Sequence, residues 1–354
     1  MFHRLILADV KSVNNDGKPT GHYLSLAQNY IDLYSDYVDV KIAGGFVYEQ
    51  KIDKSRVIHL PFENKTCFGK IKNKLNVLKN CKFLFRNTNQ DDVIVMQHSA
   101  LSTLFLGLIL FARKHNQVYI IAYDTDPISS FFQRIIYRFA KSKIKGFVLS
   151  SEKNGLAYGL PYCLIPDYIF AGNEIPVDKI PYEKKKYDFI SIGTIWPDKG
   201  FVETAKRFAG TQYRILIAGK PCDEKIAKEL TDVCKDAENI DLKLGFVNDN
   251  DYCKYMSETR FCILNYHGVY AERSSGVVLD ILFAGVPVVG HRTFAMQFIE
   301  QEQLGILFDS IESLNPEMFL KSDIRESFRK NIARYLKKNI EYRNAFLKFI
   351  GILR

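Results

Sequence analysis

The chain has 354 residues, more than one hydrophobic core usually serves, so two domains are expected. Its 47% hydrophobic and 25% charged fractions are those of a soluble globular protein, and 49 Lys and Arg against 40 Asp and Glu leave a formal net charge of +9. That charge suits phosphate-bearing small molecules, nucleic acid or an anionic membrane surface, and by itself selects none of them.

The longest apolar run, ALSTLFLGLILFA from Ala100, is shorter than the ~18 residues of a spanning helix, so no membrane-crossing segment is expected. The seven cysteines are scattered, with no C-x-x-C pair and no histidine at ligand spacing. This argues against structural zinc and for a reduced cytosolic setting. MFHRLILADV runs straight into a strand-like segment without a signal peptide's small-residue cleavage site, which agrees with a cytoplasmic location.

In chain order, RLILAD (4–9) predicts the first strand, followed by a polar loop and a helix from about Gly21. VDVKIAG, SRVIHL, DVIVMQH, QVYIIAY and GFVLSS continue as strands separated by helix-period segments, the pattern of βαβ units. LIPDYIFAGNEIPVDKIPYEKKKYD then brings three prolines and a lysine run, which place a linker near 168–186. The alternation restarts with YDFISIG (187–193), YRILIAG, IDLKLGF, RFCILNY and VPVVGH, with helices after Lys199, near 223–235 and at 249–257. From Ser322 to Ile350 there is no Gly or Pro, and Phe328, Ile332, Leu336, Ile340 and Phe346 recur at nearly helical spacing. One or two amphipathic helices are expected there. The fold class is α/β, with two doubly wound domains at 1–168 and 187–325, a linker at 169–186 and a C-terminal helix at 326–354.

Doubly wound sheets bind ligands beyond the carboxyl ends of their strands, so polar residues there carry the functional question. In ISIGTIWPDKGFVETAKRF a strand ends at Gly193, and Gly200 follows Lys199 at a helix entry. A bare backbone and a lysine beside a helix N-terminus suit a diphosphate. The plainer reading is a turn that needs glycine and a solvated lysine. In HGVYAERSSGVVLDILFAGVPVVGH, Glu272 and Asp280 stand eight apart, and Arg273, Ser274, Ser275 and Gly276 form a polar entrance to an apolar helix. Such an entrance offers amides, a hydroxyl and an arginine to an anion. Asp280 lies on roughly the face of Gly276 and Val277. Alternatively Ser274 or Ser275 is a plain N-cap and Asp280 a carboxylate at the edge of the buried face, where it needs water or a partner.

Taken in order, these pieces resemble the nucleotide-sugar domain of GT-B glycosyltransferases, especially the retaining family 4 type. GTIWPDKG is similar to the family's G-R-x-x-x-x-K-G at Gly193, Lys199 and Gly200. ERSSGVVLDILFAGVPVVG is similar to its E-x7-E element before A-x-G-x-P-V-V, with Glu272 and Asp280 as the acids. ILIAGK and LKLGFVNDNDYCKYM fall between them in the family's order. The chain departs from the pattern at Thr194, where the family has Arg, at Asp280, a methylene shorter than Glu, and in a glycine one place later than in E-x-F-G. Arg273 is expected to supply the missing cation.

The resemblance implies two Rossmann-like domains facing a cleft, with a C-terminal amphipathic helix crossing back to the N-terminal, acceptor-side domain. It implies that Gly193, Thr194 and Lys199 lie on the donor side with Lys199 on the diphosphate, that Glu272 sits near the transferred sugar, and that Asp280 holds ribose hydroxyls. The backbone of Ser275, Gly276 and Val277 would hold the phosphates, and Phe246 and Val247 would border the base. In the first half, Gly21 and His22 resemble the glycine-led helix start where acceptor and donor meet, and His98 is similar to a histidine that contacts the donor sugar; apart from the family they read as a connector and a structural histidine. Asp124 and Asp126 form an Asp-x-Asp that binds a divalent cation in single-domain glycosyltransferases, or simple turn chemistry before Pro127. In a GT-B enzyme either would serve as the general base of an inverting reaction.

Residues 69–87, 131–147 and the C-terminal tail combine cations with large apolar side chains, as interfacial helices do on anionic lipid. A solvated charged face over an ordinary core is the alternative, and no nucleic-acid module is recognisable. The expected protein is a metal-independent, retaining glycosyltransferase with no cofactor beyond its nucleoside diphosphate sugar co-substrate. It would act on a saccharide or lipid-linked saccharide of surface polysaccharide or glycoconjugate synthesis, at the inner face of a membrane. The alternatives are an inverting enzyme using Asp124 or Asp126, and a non-catalytic partner subunit, suggested by Thr194.

Overall fold

The β-rich runs become strands buried on both faces, and successive residues of one strand feed opposite cores. Leu5 and Leu7 fill one core while Ile6 and Ala8 fill another; Ile190 and Ile192 face one side and Phe189 the other. This period of two is what a sheet covered by helices on both sides requires. The computed structural model describes residues 4–15, 18–19, 23–65, 67–97, 101–122, 128, 130–149, 152–165, 175–271 and 275–353.

Residues 1–171 with 339–354 form one unit and 172–338 the other. The first unit contains β1 (Arg4–Ala8), β2 (Asn14–Asn15), β3 (Lys18–Pro19), α1 (Tyr23–Tyr34), β4 (Asp39–Gly44), α2 (Phe46–Glu49), β5 (Val57–His59), α3 (Lys70–Arg86), β6 (Val93–Met96), α4 (Leu101–Phe111), β7 (Gln117–Ile121), α5 (Phe131–Ala140), β8 (Gly146–Leu149), α6 (Glu152–Tyr158) and β9 (Tyr162–Leu164). The second contains β10 (Tyr187–Ile192), α7 (Phe201–Phe208), β11 (Ile215–Gly219), α8 (Glu224–Cys234), β12 (Ile240–Leu244), α9 (Asp249–Ser257), β13 (Thr259–Leu264), α10 (Gly276–Phe283), β14 (Val288–His291), α11 (Gln297–Gln301), β15 (Gly305–Phe308) and α12 (Ser322–Leu336). α13 (Lys338–Phe349) returns to the first unit, where Phe346 packs between the rings of Tyr30 and Tyr34, 5.6 and 5.1 Å away.

Among the described residues the first sheet runs β5-β4-β1-β6-β7-β8-β9 and the second β12-β11-β10-β13-β14-β15, all parallel. Strand order therefore reverses between β1 and β6 and between β10 and β13. These are the topological switch points at which such sheets open a crevice.

From residue 175 the proline-rich segment is irregular through Pro181 and then makes one 3-10 turn, but its charges are anchored. Asp178 accepts from Lys185 Nζ at 2.7 Å and Arg325 Nη1 at 2.6 Å, and Lys185 also donates to the Ser257 carbonyl at 2.6 Å. Arg329, one turn further along α12, donates to the carbonyls of Gly285 at 2.7 Å and Pro176 at 2.9 Å. Arg and Lys thus meet carbonyls at the ends of α9 and α10, where the helix dipole favours cations. Burial pushes the Asp178 carboxyl up, but hydrogen bonds and charge from Lys185 and Arg325 outweigh it and hold the group below the usual carboxylate range.

Removing that carboxylate leaves three nearly buried cations with one counter-charge fewer. The Asp178 side chain keeps 22% exposure, so Asp178→Ala is expected to cost about 3 kcal/mol in urea unfolding, the low end for breaking a buried pair. Because the folded pKa lies below the unfolded one, the wild-type contribution is present above about pH 4 and fades as pH falls through the folded value. Asp178→Asn should flatten that acid limb.

Candidate functional site

Among the described residues, the second switch point is lined by two loops, 193–200 after β10 and 265–271 after β13. Gly193, at φ +128°, directly follows β10, and its amide still donates to the Ala218 carbonyl at 3.1 Å. A Cβ there would lie 3.4 Å from Val277 Cγ2 and 3.9 Å from Lys199 Nζ. Bare backbone, lysine and the first turn of α10 therefore converge within one small volume.

Lys199 ends a 3-10 turn, Pro197–Lys199, and Gly200 closes it at φ +62°. Glycine is required twice over, by the left-handed backbone and because a Cβ would stand 2.2 Å from the Asn265 carbonyl oxygen. The Lys199 side chain is directed inward at 5% exposure, its Nζ 4.9 Å from the ring centre of Tyr270 and 5.6 Å from that of Tyr266. Aromatic faces partly offset the desolvation of an ammonium. Asp198 joins the two loops, its carboxylate accepting from the Val269 amide at 3.1 Å and its carbonyl from the His267 amide at 2.9 Å.

Ser275 occupies the N-cap position of α10 but does not cap it. Its hydroxyl lies 3.3 Å from the Tyr266 phenol. The plain N-cap reading of Ser275 is thus corrected: the buried tyrosine takes the hydroxyl, and no acidic side chain stands in the first turn. Burial pushes the Tyr266 phenol well up, against the Ser275 hydrogen bond, and the Asp280 charge pushes the same way. Tyr252 on α9 is raised likewise, first by burial and then by Asp280. Asp280 is half-buried and lies within electrostatic reach of both tyrosines. Tyr266 is steadied from behind by His291, whose Nδ1 lies 2.8 Å from its carbonyl oxygen.

No protein-family model and no curated protein matches the chain. Solved structures do, over nearly the whole of both chains. An E. coli structure described as trehalose-6-phosphate bound with UDP-2-fluoro glucose superposes with a TM-score of 0.72 at 10% identity, covering 98% of each chain. Anabaena HepE in complex with UDP and glucose gives 0.66 at 14% identity, again with 98% of each chain covered. AviGT4, a glycosyltransferase involved in avilamycin A biosynthesis, gives 0.61 at 12% identity, with 98% of this chain and 97% of that one covered. The shared fold is GT-B. At these identities the likeness is one of fold.

In the second GT-B unit, then, Gly193, Lys199 and Val277 meet directly, Gly276 opens the same helix turn, and Ser275 is held by Tyr266. Thr194 is exposed. Phe246 is 85% exposed after β12, while Val247 beside it packs on the core beneath α10. Glu272, Arg273, Ser274, His98, Asp124, Asp126, Gly21 and His22 lie outside the described residues. Sequence reasoning missed Tyr266, Tyr270, Asn265 and Asp198. The one signal for the tyrosines was their spacing of four in NYHGVY, which places two rings on one side of a short turn.

Gly200→Ala should cost at least about 2 kcal/mol, from the left-handed backbone plus the collision with Asn265. Gly210 has a similar φ of +71° with nothing within 4 Å of a Cβ, so Gly210→Ala should cost only about 1 kcal/mol. Equal losses in chemical denaturation would show that the Asn265 contact is not tight.

Proposed function

We propose that the chain is a glycosyltransferase that moves a sugar from a uridine diphosphate donor to an acceptor hydroxyl, with a retaining, family 4-like site in the second unit. The observation that carries the reading is the convergence of Gly193, Lys199 and the first turn of α10 at the β10/β13 switch point. The GT-B likeness to structures holding UDP and UDP-sugars supports the choice of donor.

The scissile bond joins the anomeric carbon to a phosphate oxygen, so negative charge grows on the diphosphate as it breaks. Lys199 Nζ and the Gly276 and Val277 amides face that charge from a preorganised, partly dry site, commonly the largest catalytic term. Gly193 lets the phosphates come close to the backbone, and Arg273 and Ser274 extend the positive entrance. Tyr266 fixes Ser275 and flanks Lys199, acting as a positioning residue. Asp280 holds the ribose hydroxyls, Phe246 and Val247 border the base, Thr194 lies beside the diphosphate, and Glu272 sits near the sugar. The acceptor oxygen bonds to the anomeric carbon on the face the diphosphate leaves, and its proton passes to the departing phosphate oxygen. Neither metal nor further cofactor enters this scheme. The acid-poor, basic stretches 69–87 and 131–147 support a lipid-linked saccharide acceptor, met at the inner face of a membrane.

UDP or a UDP-sugar at about a hundred times its Kd should stabilise the chain by about 2.7 kcal/mol, and should alter the fluorescence of the single tryptophan, Trp196, three residues from Lys199. Lys199→Met keeps the stem volume and should lower kcat on the order of a hundredfold or more. Asp280→Ala should weaken UDP binding about tenfold or more, the worth of a charged hydrogen bond. A wild-type chain that no UDP-, GDP- or CMP-sugar stabilises would sink the proposal.

A further inference from the structure

Of the three basic, apolar-rich stretches, the tail is accounted for by cores: Ile332 and Leu336 are buried in the second unit, Phe346 and Leu347 in the first. The other two are not. α3, α4 and α5 lie side by side on one face of the first sheet. A Cβ on Gly107 of α4 would stand 2.7 Å from Cys81 Sγ of α3, the Phe105 and Tyr137 rings of α4 and α5 are 5.2 Å apart, and all three helices fill the same core.

On the side away from that core the layer keeps large apolar groups in water. α5 is apolar on two sides: Tyr137 and Ala140 are buried, while Phe131, Phe132, Ile135 and Phe139 are 79%, 67%, 40% and 66% exposed. Ile71 on α3 and Leu110 on α4 are 77% and 56% exposed. A helix that only covers a core gives its outer face to charged and polar residues, and contiguous exposed apolar surface marks an interaction site.

The charge is one-sided as well. None of the three helices contains an acidic residue, whereas Lys72, Lys74, Lys79 and Lys82 of α3 and Arg134 and Arg138 of α5 are exposed. We propose that this three-helix layer docks the chain on an anionic lipid bilayer, with the aromatic ridge of α5 at the acyl boundary and the α3 lysines at the phosphates. A nucleic acid would satisfy the cations but leave the aliphatic side chains wet, and a second copy would set like charges face to face.

Helices of a parallel sheet begin at the carboxyl edge of the strands, so Ile71, Phe131 and Phe132, in the first turns of α3 and α5, mark the edge where β1 and β6 part. A membrane-borne acceptor would reach the unit there. The inference takes from the proposed function only the acceptor's lipid anchor, and the docking face shares no residue with the donor site.

The test uses the full chain with vesicles of phosphatidylcholine alone and of phosphatidylcholine with phosphatidylglycerol in equal parts. Sedimentation should show binding to the anionic vesicles that weakens with salt, and little to the neutral ones. Replacing Lys72, Lys74, Lys79 and Lys82 by Gln should lower partitioning by about fivefold per lysine. Phe131→Ser and Phe139→Ser should each lower it on the order of tenfold without changing the salt slope. UDP-dependent Trp196 fluorescence, unchanged in all these variants, separates failure of this face from failure of the donor site. Equal binding to both vesicle types, or unaltered binding by the lysine and phenylalanine variants, overturns the proposal. So does a phenylalanine-dependent dimer in light scattering, or displacement of the vesicles by a short oligonucleotide.

Discussion

Lys199 stands where it does because the residue after it has no side chain. The Gly200 backbone lies against the Asn265 carbonyl so closely that a single methyl group would part them, and this contact joins the loops that leave β10 and β13. Once they are joined, the 3-10 turn before Gly200 turns the lysine inward, beneath Tyr266 and Tyr270. Tyr266 in turn draws the Ser275 hydroxyl away from the helix it would otherwise cap. A steric constraint at one glycine thus helps to set where the lysine stands.

The crevice holds a buried ammonium at the start of a helix. An inward lysine costs desolvation energy, which aromatic quadrupoles partly offset. The amides at the start of α10 add partial charge in a fixed direction. In the proposed donor role, such a site would meet a diphosphate with little reorganisation, and its interactions should strengthen when the ligand excludes water.

The strands were readable because parallel sheets need near-continuous apolar runs, and RLILA, YDFISI and ILIAG offer no competing structure. Gly193, Lys199 and Gly200 were readable for a local reason, since turn chemistry and the adjoining helix sit within a few residues. Tyr266 with Ser275, and Gly200 with Asn265, were not, because each contact joins segments that sequence spacing does not relate. The same limit hid the anchoring of Asp178: its prolines and lysines read as a loose connector, yet its counter-ions come from Lys185 and from α12, far along the chain. The outward aromatics of α5 fit both a core stripe and an exposed ridge by spacing alone, and only burial tells the two apart.

The route of the backbone through the two units carries a consequence for how the protein is made. The first unit is interrupted after residue 171 and completed by residues 339–354, so Phe346 reaches the Tyr30 and Tyr34 rings, and Phe349 the Tyr119 ring, only after the whole second unit has been synthesised. Until then the Tyr30 and Tyr34 rings lack the aromatic partner that packs on them in the folded chain. The first unit therefore cannot complete its core before the second unit has been made. Its closure is a late event, one that a chaperone or an early-forming membrane contact would be well placed to shelter.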